Sequence, residues 1–428
     1  MIHAGRKGRY RLAIALALSC WGVGCAWMGS SPPAKPPISA RDAKGVPVGL
    51  VAGAKASDGQ IIVGLNPGYT TDSLPGFRGQ RAVVIGSLDF AMPIRMLRLP
   101  NGVSVDEAIA ILKTSPAVGL IEANETLSTA PRPAVLIGQT SPIGGPNDPL
   151  FAEEWGFSDS STQVRAIWKR HIDASRVVVA VIDTGIDYTH PDLSGRVLVG
   201  YNFKDGNDDI RDTDGHGTHV AGILGAAGNN GYGIAGVCWD CKLLAVKVMD
   251  GSGGTDFGAI AGIKYATDVG AKVINLSFTS DNPQRNPLFD LAIQYAVDHG
   301  ALVVAAAGNQ HGPVTAPANS PGVVAVSATS ERNFEGLANF SNYGPQVYIA
   351  APGENILSDY LNQGFRTLSG TSMAAPFISG AAAELLGEHP DWSLMQVETA
   401  LAQSTDPLGM VGRNDQFGYG RIDFAKLP

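Results

Sequence analysis

Six short apolar runs, at residues 177–182, 243–248, 273–276, 302–306, 323–326 and 347–349, constrain this chain more than any other feature. They are rich in Val, Ile, Leu and Ala, and only Lys247 and Asn275 interrupt them. Helical stretches lie between them, near 219–227, 255–269, 287–299 and 373–387. A strand that is apolar on both faces must be covered on both faces. Strands alternating with helices meet that need as a parallel sheet between helix layers. The expected class for residues 147–428 is therefore α/β, three layers around a central, mostly parallel sheet. Reactive side chains in such a sheet belong at the carboxyl ends of its strands.

The pattern changes in residues 55–130. Apolar, β-leaning runs at 60–65, 81–88, 94–99 and 118–123 surround one helical stretch, 104–113, with Ser104 as N-cap and Glu107 three residues on. This predicts a small α+β domain, an antiparallel sheet with its helix on one face. Ahead of it, Arg6, Lys7, Arg9 and Arg11 precede an uncharged apolar stretch at 12–24, too short for a bilayer span. Residues 1–25 read as an export signal, and 26–54 as a linker. Trp21-Gly22-Val23-Gly24-Cys25 loosely resembles a lipoprotein cleavage box but has Gly22 where Leu is usual, so ordinary signal cleavage is favoured over lipidation of Cys25. Residues 131–146 form a second linker.

Composition excludes some functions. At 44% hydrophobic and 16% charged residues the chain is globular, and a net charge of −8 gives no basic face for nucleic acid. Removing residues 1–25 would take away four more positive charges.

Three motifs fall where the sheet predicts chemistry. Val181-Ile182-Asp183-Thr184-Gly185 places an acid at a strand end. Asp214-Gly215-His216-Gly217-Thr218-His219 places a His at the start of a glycine-rich helix, and Ser369-Gly370-Thr371-Ser372-Met373-Ala374-Ala375-Pro376 a Ser at a turn-to-helix junction. Nucleophilic acyl transfer needs these types: His takes the serine proton, and a buried carboxylate fixes the imidazole. Ala306-Ala307-Gly308-Asn309 ends another strand with an amide able to donate to an oxyanion. Each motif alone has a plainer reading, as a turn, a helix cap or, for His216 and His219, a poor metal pair. Their conjunction decides.

In order and surroundings, Asp183, His216 and Ser372 resemble the subtilisin-like serine proteases, and Asn147-Asp148-Pro149-Leu150-Phe151 resembles the thermitase-like branch. The resemblance spans 147–428. It implies the subtilisin-like fold and serine endopeptidase activity on polypeptides, with Asp183 as charge-stabilising acid, His216 as general base, Ser372 as nucleophile and Asn309 as oxyanion donor. It also implies that residues 55–130, with Leu120-Ile121-Glu122-Ala123-Asn124, are a ferredoxin-like inhibitory propeptide, cut off between 124 and 146. Substrate would pair as a strand between Gly251-Ser252-Gly253 and Ser277-Phe278. Ala306, Ala307 and Gly308 would form one wall of the primary pocket, and Ser277, Phe278 and Thr279 the other. Thr279 stands where the family commonly has Gly, and Phe377 where it has His.

The same resemblance implies structural calcium held by Asp148, Asp192 and Asn230 with carbonyls of Ala227, Tyr232 and Ile234, an all-oxygen set. The acidic loop at 205–214, with Asp205, Asn207 and Asp209, is a weaker second candidate. No redox or organic cofactor is expected. In an exported protein, Cys238 and Cys241 are expected to form a small disulfide rather than a redox pair. The expected state is an exported monomer, membrane-bound only if Cys25 carries lipid. The rival functions are an esterase, which would need a Gly-x-Ser-x-Gly elbow that Gly370-Thr371-Ser372-Met373-Ala374 does not match, and a non-catalytic or permanently inhibited exported binding protein on the same scaffold.

Overall fold

The computed structural model describes residues 59–129, 145–280, 284–331 and 336–428, and the backbone of Ile38–Ser39 and Arg132–Pro133. The expected signal segment, nearly all of the expected first linker and most of the second fall outside the described residues.

The small domain contains β1 (Gln60–Leu65), β2 (Val83–Asp89), β3 (Pro93–Arg98), α1 (Val105–Leu112) and β4 (Val118–Ala123). Its antiparallel sheet runs β2-β3-β1-β4. Ser104 caps α1 as its spacing predicts, its Oγ accepting from Glu107 N at 3.1 Å. Every residue of β1 is buried, because the two faces meet different partners. Ile61, Val63 and Leu65 pack under α1 with Ala108 and Leu112. Ile62 faces the other way and joins Ile85, Ile94 and Met96 in a core shared with Phe257 and Ile260 of the larger domain. This two-sided burial is why β1 reads as an unbroken apolar run.

The chain continues into β5 (Thr126–Ser128) and β6 (Arg132–Pro133), and then into the larger domain. There β7 (Val178–Asp183) and β8 (Val197–Asn202) precede α2 (His216–Gly225). Next come β9 (Lys242–Lys247), β10 (Met249–Asp250), β11 (Gly253–Thr255), α3 (Asp256–Asp268), β12 (Val273–Leu276), β13 (Thr279–Ser280) and α4 (Pro287–Asp298). They are followed by β14 (Leu302–Ala306), β15 (Val323–Thr329), β16 (Val347–Pro352), the hairpin β17 (Ile356–Tyr360) and β18 (Gly364–Ser369), α5 (Thr371–Glu388), α6 (Leu394–Gln403), β19 (Thr405–Asp406) and β20 (Arg421–Ile422).

The central sheet runs Ile38–Ser39, β8, β9, β7, β12, β14, β15, β16, β20, β19. All neighbours are parallel except β19 and β20. One apolar layer, including Val179, Val181 and Val304, packs against α2 and α5. The other, including Ala180, Ile182 and Val303, packs against α3 and α4. The expected three-layer α/β fold is present. No described helix is long and apolar enough to cross a membrane.

Candidate active site

Neighbouring strands β7, β12 and β14 end side by side. Leu276 lies opposite Ile182, and opposite Ala305 on its other side. The residues just beyond therefore share one edge of the sheet: Asp183, Ser277 and the Ala307–Asn309 turn. Asp183 is fully buried, and its Oδ1 lies 2.7 Å from His216 Nδ1. His216 begins α2 because Gly215 turns the chain with φ +104°, a conformation that favours glycine. Asp212 locks that turn. Its carboxylate accepts from Thr184 Oγ1 and the N–H groups of Asp214, Gly215 and Thr218, all within 3.0 Å. Buried Lys247 donates to the carbonyls of Thr184 and Arg211 at 2.7 and 3.1 Å, bracing the same corner.

Burial pulls the His216 imidazole toward the neutral form. The charge and hydrogen bond of Asp183, helped by Asp214 and Asp212, outweigh burial and leave its pKa above the usual histidine value. His219, one turn on, behaves differently. Buried, with Nε2 donating to the carbonyls of Ile356 and Arg366, it is depressed to about 3 and stays neutral. It is a packing histidine, so His216 and His219 form no metal pair.

Ser372 lies in the first turn of α5, where backbone N–H groups lack intrahelical partners. Its Oγ donates to Ser277 O at 2.9 Å, and Ser277 Oγ donates back to Ser372 O at 2.9 Å. Asn275 Nδ2 supports Ser277 Oγ at 2.8 Å, and Ser379 Oγ donates to Asn275 Oδ1. His216 Nε2 is buried without a partner, so the hydroxyl rests on Ser277 rather than on the imidazole. Asn309 is oriented by Thr371, whose N–H and Oγ1–H both donate to Asn309 Oδ1, at 2.8 and 2.9 Å. That leaves the Asn309 amide N–H groups as the donor end. The sequence reading missed Asp212, Lys247, Asn275 and Thr371, because their roles lie in contacts between distant segments.

The expected substrate slot is filled by the chain's own β5, antiparallel to β11 on one side and β13 on the other. Leu127 stands opposite Gly254 and Ser280, and Ser128 opposite Thr279. Of the predicted wall, Gly253 and Thr279 lie in the paired strands. Gly251 and Ser252 line an adjoining cleft of about 450 Å³ that also reaches His216. Phe278, Ala306 and Ala307 are buried, and Leu127, 1% exposed, joins Phe278 and Phe257 in the core. Further along the chain, β6 pairs antiparallel with β18, Arg132 opposite Ser369. Phe377 is fully buried against Phe157, with ring centroids 4.7 Å apart, and serves packing.

Asp148 accepts from the N–H groups of Asn229 and Asn230. Asp192 accepts from Asn230 Nδ2 at 2.8 Å and Ile234 N at 3.1 Å. The loop closes this tightly because Gly233 has φ +48°; a Cβ there would lie 2.1 Å from Asp192 Oδ2. Burial holds both carboxyls above the usual range, Asp192 at about 6. In the weaker candidate loop, Arg211 forms a two-point ion pair with Asp209, and Asp205 accepts from Asn202. A side-chain cation already stands where a metal would be needed.

The expected Cys238–Cys241 disulfide is a correction: both cysteines are buried and free. Cys241 Sγ is directed to Cys238 O at 3.4 Å, and the Cys238 thiol meets the Glu384 carboxyl. Burial first, and then Cys238, push Glu384 up to about 10, so it stays protonated as a partner for the thiol.

A profile of the subtilase family matches residues 174–420. The chain is 37% identical to the thermophilic serine proteinase of Bacillus sp. (strain AK1), over 75% of each chain. It is also 37% identical to thermitase of Thermoactinomyces vulgaris, over 66% of this chain and 98% of thermitase. A solved structure of a protease from Pseudoalteromonas arctica PAMC 21717 superposes with a TM-score of 0.61 at 30% identity, covering 66% of this chain and 98% of that one. The chain belongs to the subtilase family. It is a serine endopeptidase with polypeptide substrates.

Proposed function

We propose that this protein is an exported serine endopeptidase made as a self-processing zymogen, with Ser372 as nucleophile, His216 as general base and Asp183 holding the imidazole. The 2.7 Å Asp183–His216 contact, buried at the sheet edge beside Ser277 and Ser372, carries the reading. Rotation of the Ser372 hydroxyl from Ser277 O to His216 Nε2 starts the reaction. Its oxygen attacks the substrate carbonyl, His216 takes the proton and returns it to the leaving amine, and water repeats the cycle on the acyl-enzyme. Asn309 and the Ser372 N–H stabilise the oxyanion.

Residues 55–130 act as the inhibitory propeptide, because their tail, β5, takes the place of a substrate strand. Ser128 opposite Thr279 and Arg132 opposite Ser369, three residues before Ser372, support self-cleavage at a bond between Thr129 and Arg132. Leu127 marks a pocket that favours an apolar substrate side chain three positions before Ala130.

Calcium would be held by Asp148, Asp192 and Asn230, because two buried carboxylates and an amide in one loop supply the hard oxygen donors that ion takes.

Intact mass and N-terminal sequencing of the exported wild type beside Ser372→Ala test the reading. The expected wild-type product begins at residue 130, 131 or 132, while Ser372→Ala keeps its N-terminal domain. Equal cutting of both would assign processing to another protease. No cutting of either would leave the permanently inhibited protein as the correct reading.

A further inference from the structure

Under the β17–β18 hairpin, three side chains converge that the proposed reaction does not use. His190, Asp192 and Asp359 are each 0% exposed, and one ligand-capable atom from each lies within 4.8 Å of the other two. His190 Nε2 stands 3.1 Å from the Gly364 carbonyl, a contact that requires an N–H. The lone pair of a neutral ring is therefore on Nδ1. That atom faces Asp359 Oδ1 at 3.5 Å and has no hydrogen-bond partner, while the Asp359 carboxyl meets that of Asp192.

Acceptors set face to face in the interior repel unless something positive lies between them. Burial first, then the charge and hydrogen bond of Asp192 and the charges of Glu154 and Asp187, hold Asp359 well above the usual carboxylate range, and none of these neighbours is positive. Two ligands of one tetrahedral ion, each at about 2.0–2.1 Å, stand roughly 3.3 Å apart, close to the observed separation. Phe365 and Tyr232 meet the His190 ring edge-on, at 5.2 and 6.1 Å, and hold it in place. One imidazole with two carboxylates suits zinc, cobalt or manganese, whereas calcium takes oxygen ligands.

We propose that His190 Nδ1, Asp192 and Asp359 bind a first-row divalent metal ion, at a site separate from the calcium loop although it shares Asp192 with it. The ion ties β17 to the turn at 190–193. Because β17 leads through β18 to Ser372, it secures the segment that carries the nucleophile.

The test uses the full chain as Ser372→Ala, to prevent self-digestion, stripped with chelator and returned to saturating calcium. Cobalt(II) is titrated while visible absorption and binding heat are followed. The expected result is one cobalt per chain in the presence of calcium, with a ligand-field band that zinc abolishes. Asp359→Asn and His190→Gln should each weaken cobalt binding by about 100-fold or more, because ligand loss exceeds the 10–100-fold typical of an outer partner. Calcium binding should persist in both variants. Absence of cobalt binding under excess calcium in the unaltered His190/Asp359 chain would overturn the proposal, and that result needs no variant to fold. So would stoichiometric displacement of cobalt by calcium, or unchanged affinity in a folded Asp359→Asn. Those outcomes would leave a proton shared between Asp359 and its neighbours as the resolution of the contact.

Discussion

Asn309 offers the sharpest perturbation, because its orientation is fixed by contacts that can be removed separately. Both hydrogen bonds to Oδ1 come from Thr371, which leaves the amide N–H groups as the end that donates to the oxyanion in the proposed mechanism. Asn309→Ala removes a donor engaged chiefly in the transition state. The expected loss is about 2.7–4 kcal/mol, or roughly 10²–10³ in kcat, with KM changed little. Thr371→Val keeps the backbone contact and removes the two made by Oγ1, its donation to Asn309 Oδ1 and its acceptance from Gly308 N–H. It should cost about 0.5–1.5 kcal/mol, roughly 2–10-fold, again in kcat. The assay is steady-state hydrolysis of a chromogenic peptide by processed enzyme, titrated for active sites so that poor processing is not read as slow chemistry. A loss below about fivefold in Asn309→Ala, or one carried by KM, would refute this orientation argument.

Three further outcomes follow from the same geometry. Because His216 must be neutral to act, activity falls as pH drops through its raised pKa; Asp214→Asn removes one raising charge and should move the acid limb of kcat/KM to lower pH, checked by a pH–rate profile in which an unmoved limb would count against the electrostatic account. Leu127→Ala empties a buried anchor of β5 and should weaken inhibition by the cleaved N-terminal domain by about 2 kcal/mol, roughly 30-fold, read as its inhibition constant. Chelation of calcium should lower thermal stability, by about 2.7 kcal/mol relative to calcium at a hundredfold excess over its dissociation constant, followed by calorimetry on Ser372→Ala.

Most of the fold was legible because the inner strands are covered on both sides. β12 and β14 fall on the residues their apolar runs predict, and α4 begins at the predicted Pro287. What stayed hidden is buried polar structure. β17 carries Ser358 and Asp359 at 0% exposure, and hydropathy cannot mark a strand whose buried side chains are polar. β8 escaped notice because half its residues are only partly buried. α2 begins three residues earlier than its apolar pattern, since the Gly215 turn and the Asp212 carboxylate start it rather than hydrophobic spacing. The residues placed at the site, Asp183, His216, Ser372 and Asn309, were legible because local motifs carry them. Their supports, Asp212, Asn275 and Thr371, act across gaps of up to about a hundred residues that no local pattern records. The cysteine pair shows the opposite failure: its spacing suggested a bond, but the Cys238 thiol turns to Glu384 instead.

The most direct measurement of the central claim is to treat processed enzyme with a fluorophosphonate and locate the adduct by peptide mass spectrometry. One adduct per active enzyme is expected, on Ser372, with peptide hydrolysis lost in proportion to labelling. An adduct on another serine, or hydrolysis that persists in fully labelled protein, would contradict it.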